Sequence, residues 1–147
     1  MNMSALGDRC VLPDANTVIQ MLRRGVREKI LTDLCVANRM RIVDDVAREL
    51  RQRDGQCKTW IAANPSFVLH PVQQVLDEVG RLAREHGTLF STAGKAADPA
   101  LVATALYYKT ASPQRLVVSE DNGVMAVCLL EGLEFLPNGA FFKLFGI

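Results

Sequence analysis

The sequence predicts an α/β fold, a three-layer α/β/α sandwich built on a parallel sheet. Short, fully apolar runs that read as buried strands alternate along the chain with segments of helical spacing. That alternation calls for right-handed crossovers, with helices covering both faces of the sheet. The chain has 147 residues, 49% of them hydrophobic, enough for one domain with a proper core and too apolar for global disorder. No repeat, linker or low-complexity stretch interrupts it. A single domain over residues 10–147 is expected, preceded by a loose, polar start over residues 1–9.

The elements follow in order. Cys10-Val11-Leu12 reads as the first strand, broken by Pro13-Asp14-Ala15. Asn16 to Arg24 has helical spacing, with Val18, Ile19 and Leu22 on one face and Gly25 as its stop. Val26 to Asn38 is a second helix, with Ile30, Leu31, Leu34 and Cys35 inward and Arg27, Glu28 and Lys29 toward water. Ile42-Val43 is a second strand, and Asp44 and Asp45 open a helix carrying Val46, Ala47 and Leu50. A short helix with Trp60 spans Gln56 to Ala63, and Phe67-Val68-Leu69 is the third strand. Pro71 opens a long amphipathic helix to His86, striped by Val72, Val75, Leu76, Val79, Leu82 and Ala83. A loop over Gly87 to Ala97 leads to Asp98-Pro99, an N-cap and first-position pair for a helix reaching about Thr110. Leu116-Val117-Val118 is the fourth strand, and Glu120-Asp121-Asn122-Gly123 reads as a turn. A helix over Val124 to Leu130, a fifth strand over Leu133 to Leu136 and an aromatic segment through Phe145 complete the chain.

The bulk properties narrow the function. A formal net charge of +1 gives no global pull toward nucleic acid, so any phosphate-binding face has to come from local clusters of Lys and Arg. Cys10, Cys35, Cys57 and Cys128 show no zinc spacing and read as buried thiols of a reducing cytoplasm. No apolar run is long enough to span a membrane, and the start lacks the layout of a signal peptide. A cytoplasmic location is expected.

Four acids stand where a site should lie. In an open parallel sheet, ligands bind beyond the carboxyl ends of the strands, where the strand order reverses. Asp14 follows the first strand, Asp121 follows the fourth, Asp98 opens the helix leading into the fourth, and Glu49 lies one turn inside the helix after the second. Each has an ordinary reading too: Asp14 and Asp98 as helix caps, Asp121 as a turn residue, Glu49 as a solvated helix residue. Taken as a set, they could converge on one rim. Converging carboxylates repel unless a cation lies between them, and Mg²⁺ or Mn²⁺ prefers such oxygen ligands. The chemistry that follows is phosphodiester hydrolysis by metal-activated water.

The same residues resemble the motifs of PIN domains. Val11-Leu12-Pro13-Asp14-Ala15-Asn16-Thr17-Val18-Ile19 is similar to the opening motif, and Val43-Asp44-Asp45-Val46-Ala47-Arg48-Glu49-Leu50 to the second. Ala97-Asp98-Pro99-Ala100-Leu101-Val102-Ala103-Thr104-Ala105 resembles the third, and Val117-Val118-Ser119-Glu120-Asp121 the fourth. The four occur in the family's order between about Cys10 and Leu136. The resemblance is nearest to toxin nucleases of bacterial toxin–antitoxin pairs and to a related PIN-like subgroup whose third motif reads Ala-Asp-Pro, as Ala97-Asp98-Pro99 does here. It implies a five-stranded parallel sheet ordered 3-2-1-4-5, and RNA cleavage with Mg²⁺ or Mn²⁺. It also implies metal ligation by Asp14, Glu49, Asp98 and Asp121, with Asn16 and Ser119 in support, and an antitoxin partner. Glu120 beside Asp121 departs from the pattern, and Asp121 is preferred because it keeps the offset from Ser119. A homodimer is a further expectation.

Other features are weighed against these. Arg23, Arg24, Arg27 and Lys29 form one basic cluster and Arg48, Arg51, Arg53 and Lys58 another, and Arg23, Arg24 and Arg48 are candidate RNA contacts. Both clusters also read as solvated helix faces. Gly87 to Lys95 fails as a phosphate loop on its spacing and on Ala96. The aromatic tail reads partly as core and partly as interface. The main alternative is a catalytically weak or inactive PIN-like binding module, motivated by the near-neutral charge. A phospho-acceptor role, suggested by Asp14-Ala15-Asn16-Thr17, lacks a second Asp at Asn16 and an evident catalytic Lys.

Overall fold

The computed structural model describes residues 3–90 and 97–147. Five strands run parallel: β1 (Cys10–Pro13), β2 (Ile42–Val43), β3 (Val68–Leu69), β4 (Arg115–Val118) and β5 (Phe135–Leu136). They form two sheets, β1-β4-β5 and β2-β3, instead of the continuous five-stranded sheet expected. The two meet at a single parallel bridge between Val11 and Met40. There Val11 N–H donates to Arg39 O at 2.8 Å and the Val11 carbonyl accepts from Arg41 N–H at 3.1 Å. β2 has only two residues, and its partner contact with β1 falls on the residues just before it, so no ladder develops there.

The described residues form eight α-helices, which connect or follow the strands: α1 (Ala15–Leu22), α2 (Gly25–Val36), α3 (Asp44–Arg53), α4 (Gly55–Ala63), α5 (Gln73–His86), α6 (Ala97–Tyr107), α7 (Asn122–Leu130) and α8 (Asn138–Leu144). α6 packs on β1, β2 and β4, while α3 packs on β2 and β3. The strands are buried because they are apolar on both faces: Val11, Leu12, Ile42, Leu116, Val117 and Val118 are all fully buried and belong to a single cluster. All four cysteines are free and buried in it or beside it.

Several expected boundaries shift. Gly25 opens α2 instead of closing α1, whose end is capped at Arg23. Asp98 lies inside the first turn of α6 and not at its N-cap. The Asp-Asn-Gly turn is the start of a helix, with Asp121 as the N-cap of α7. The stripe on α5 is buried only at Val75 and Leu82, while Val72 and Leu76 are 41% and 50% exposed. Arg27 stacks on the Phe142 ring at 4.3 Å and does not simply face water. The start is not loose from Met3 on: Met3–Leu6 is a 3-10 turn, Leu6 is fully buried, and Arg9 pairs with Glu134 at 2.6 Å. The loop expected over Gly87 to Ala97 is described as far as Phe90, and 91–96 lie outside the described residues.

Candidate active site

β1 and β4 are neighbours in register, Pro13 opposite Val118. The chain runs outward from β1 through β2 and β3 and returns to β4 on the other side, so the strand order reverses between these two strands. The next residue on each strand, Asp14 and Ser119, is therefore carried to the same point, where the Ser119 hydroxyl donates to Asp14 Oδ2 at 2.6 Å. Asp14 also serves as the N-cap of α1. Its Oδ1 accepts from the Thr17 backbone N–H at 2.8 Å and from the Thr17 hydroxyl at 2.7 Å. Only 8% exposed, this carboxylate is a buried charge held by three donors and by the positive end of α1.

Asp121 repeats the arrangement one strand-end away. It caps α7 by accepting from Val124 N–H at 2.9 Å, and its own N–H donates to the Ser119 hydroxyl at 3.0 Å. Ser119 thus ties the two acids together. Glu49 projects from α3 and pairs with Arg53 one turn later at 3.0 Å. Asp98, in the first turn of α6, is 7% exposed. Glu120 accepts from the Gly139 N–H at the start of α8, at 3.2 Å.

These side chains line one cleft of about 220 Å³, formed by Asp14, Ala15, Asn16, Glu49, Arg53, Asp98, Glu120 and Asp121. All four sequence-predicted acids are there, together with Asn16, and Ser119 lies buried just behind Asp14. Two charged lining residues escape the sequence reading of the site: Glu120, set aside in favour of Asp121, and Arg53, assigned to a surface cluster. The candidate RNA contacts Arg23, Arg24 and Arg48 do not line the cleft. Arg23 lies 3.5 Å from Asp54, and Arg48 pairs with Asp44 and Asp45 at 3.3 and 2.8 Å. Asp54 itself is held below the ordinary carboxylate range, chiefly by the Cys57 N–H and then by Gln56 N–H and Arg23.

The chain shares its fold with FitAB. A crystal structure of FitAcB from Neisseria gonorrhoeae aligns with a TM-score of 0.56 at 18% identity, covering 88% of this chain and 98% of that one. A structure of FitAB bound to an IR36 DNA fragment aligns with a TM-score of 0.55 at 16% identity, covering 87% and 94%. At such identities the likeness is one of fold. No protein-family model and no curated protein matches the chain.

The donor set suits a hard divalent cation: five carboxylates face a single guanidinium in the cleft, and every candidate ligand atom is oxygen. Among the described residues, however, the only three metal-ligating side chains with atoms within 4.8 Å of one another are Glu85, His86 and Glu131. No three of the cleft acids come that close to one another. Mg²⁺ accepts such spacing, because it keeps several waters and takes only one or two carboxylates directly. The tighter trio lies elsewhere and already has its counter-charge. Arg81 sits 2.7 Å from Glu131, 2.7 Å from Glu85 and 2.8 Å from Glu78, so we read it as an ion-pair network joining α5 to the end of α7.

Proposed function

We propose that this chain is a ribonuclease that depends on Mg²⁺ or Mn²⁺, acting as the toxin of a toxin–antitoxin pair. The observation that carries this reading is the meeting of Asp14, Glu49, Asp98 and Asp121 at one cleft beyond the strand ends. Asp14, Asp98 and Asp121 are the residues that would hold the ion, with Glu49 or Glu120 completing the oxygen set. Bound there, the ion supplies neutralising charge for a phosphodiester and activates water for attack. The chain's own contribution is to fix these carboxylates: Ser119 locks Asp14 to Asp121, and the starts of α1 and α7 favour their negative charge. Asn16, exposed on the rim, is placed to orient water or substrate.

RNA is the substrate by the resemblance of the four motifs to those of PIN domains. The fold shared with FitAB supports a protein partner, the antitoxin, and dimerisation belongs to the same reading. Arg23, Arg24 and Arg48 would serve as phosphate contacts outside the cleft, Arg23 and Arg48 exchanging their present acidic partners for RNA.

A second reading, a PIN-like binding module without catalysis, is favoured by one observation. Glu49 is already neutralised by Arg53, and Asp14 already has three donors, so the cleft is partly satisfied without an ion. Incubation of single-stranded RNA with the purified protein and Mg²⁺ or Mn²⁺ separates the two. Cleavage is expected, lost at least 100-fold in Asp14→Asn, the loss expected when a ligand of the reacting centre goes. An Asp14→Asn variant as active as the parent rules the nuclease reading out. Protein that binds no Mn²⁺ in calorimetry favours the module.

A further inference from the structure

The aromatic C-terminal segment has a role that its composition does not suggest. Phe141 is fully buried and Phe142 nearly so, and this anchors α8 in the core. At the start of that helix Asn138 is 2% exposed, with its amide against the Thr17 hydroxyl: Asn138 Oδ1 and Thr17 Oγ1 are 2.5 Å apart. The same Thr17 hydroxyl is 2.7 Å from Asp14 Oδ1. A hydroxyl has one proton to donate. With Asp14 a carboxylate, an acceptor only, the Thr17 proton belongs to Asp14, and the group facing Thr17 from the other side has to be a donor. Placed with Oδ1 toward Thr17, Asn138 meets it acceptor to lone pair, and its Nδ2, buried, has no hydrogen-bond partner among the described residues. Amide oxygen and nitrogen are close in size, and a half-turn of the amide group exchanges them within the same space. That half-turn turns a donor toward Thr17 and gives Nδ2 its partner, so that a directed chain runs from Asn138 N–H to Thr17 O–H to the Asp14 carboxylate.

We infer that Asn138 is a positioning residue for Asp14, its amide N–H turned to Thr17 so that the Thr17 proton is committed to the carboxylate. The inference rests on the proposed function only for the ion that Asp14 would hold. Through this chain, α8 sets the orientation of a cleft acid from the far end of the sequence. Asp14 Oδ1 is then held by the Thr17 N–H and O–H, and Oδ2 by Ser119, in one rotamer. Outer partners of this kind typically set metal affinity by tenfold or more.

The test compares Mn²⁺ affinity, by calorimetry, with stability, by urea melt, in the full chain. Asn138→Ala is expected to weaken Mn²⁺ binding about tenfold. Asn138→Asp, unable to donate when ionised, should weaken it at least as much, while Thr17→Ser stays within about twofold of the parent and Thr17→Val matches Asn138→Ala. Parental affinity in Asn138→Asp overturns the proposed direction of the chain. Parental affinity with lowered stability in Asn138→Ala reduces the residue to packing. If Asn138→Ala does not fold, Asn138→Asp, which keeps the shape of the side chain and removes the donor, carries the same decision. If the parent binds no Mn²⁺, the nuclease reading fails, and the positioning claim is read from a crystal structure of the folded variant. Asp14 leaving the reach of Ser119 supports the claim, and an unmoved carboxylate overturns it.

Discussion

Glu49 and Arg53 face each other across one turn of α3, at the rim of a cleft whose other charged lining residues are all acids. Any ion that takes Glu49 as a ligand has to displace Arg53 or share with it. The pair is partly exposed, so its strength is about 0.2–1 kcal/mol, and releasing Glu49 is worth the corresponding factor in affinity. Arg53→Gln is therefore expected to tighten Mn²⁺ binding by about 1.4- to fivefold in calorimetry. The same variant should raise the KM for RNA, because the guanidinium is the only cation lining the cleft among the described residues. Movement of both quantities in one direction would count against this account of Arg53. The acids themselves are legible in the sequence because Asp14, Asp98 and Asp121 each stand at a strand or helix boundary, marked by a neighbouring Pro13, Pro99 or Gly123. Arg53 and Asn138 are not legible that way. Arg53 lies within a run of exposed charges, and Asn138 meets Thr17 across 121 positions of sequence with nothing local to announce it.

At the scale of elements, periodicity identifies α5 correctly as a helix but overstates its buried face. Six apolar positions share the stripe, yet Leu82 is fully buried while Leu76, on the same helix, is half exposed. Local spacing reports which residues share a face and is silent on how far the neighbouring layer extends over it. The two leucines give a direct contrast. Leu82→Ala is expected to lower unfolding free energy by about 2–5 kcal/mol, and Leu76→Ala by less than about 1 kcal/mol, in urea melts. Equal losses would mean that Leu76 is covered in solution, as it would be by a partner. The start of α7 shows a different limit. Gly123 reads as a turn glycine, but it is helical, and a Cβ there would come 1.9 Å from the Leu89 carbonyl oxygen. Its requirement is close approach of another backbone segment, which holds the loop after α5 against the turn that carries Asp121. Sequence marks the glycine and hides the reason.

For the whole molecule, parallel order explains why four distant acids meet: each follows or precedes a strand at the carboxyl edge, so the topology brings them together. The split of the sheet at Val11–Met40 was not legible, because two-residue strands carry no register signal of their own. The same tightly closed core has a consequence for pH. Burial pushes the thiols of Cys35 and Cys128 up to about 12 and that of Cys57 to about 11, from an ordinary value of 9.0. Between those values the unfolded chain releases thiol protons that the folded chain retains. The folded state then binds more protons, so stability falls as pH rises from about 9 toward 12. One pH unit above the unfolded value, each such thiol should contribute a loss of about 1.4 kcal/mol. Tyrosines and lysines titrate in the same range, so the thiol share is isolated by difference. The double variant Cys35→Ala, Cys128→Ala should start less stable at pH 8, because two buried sulfurs leave space behind. Its urea midpoint should nevertheless fall less steeply than the parent's between pH 8 and pH 10.5. Parallel slopes for the two proteins would show that these thiols ionise as freely in the fold as out of it.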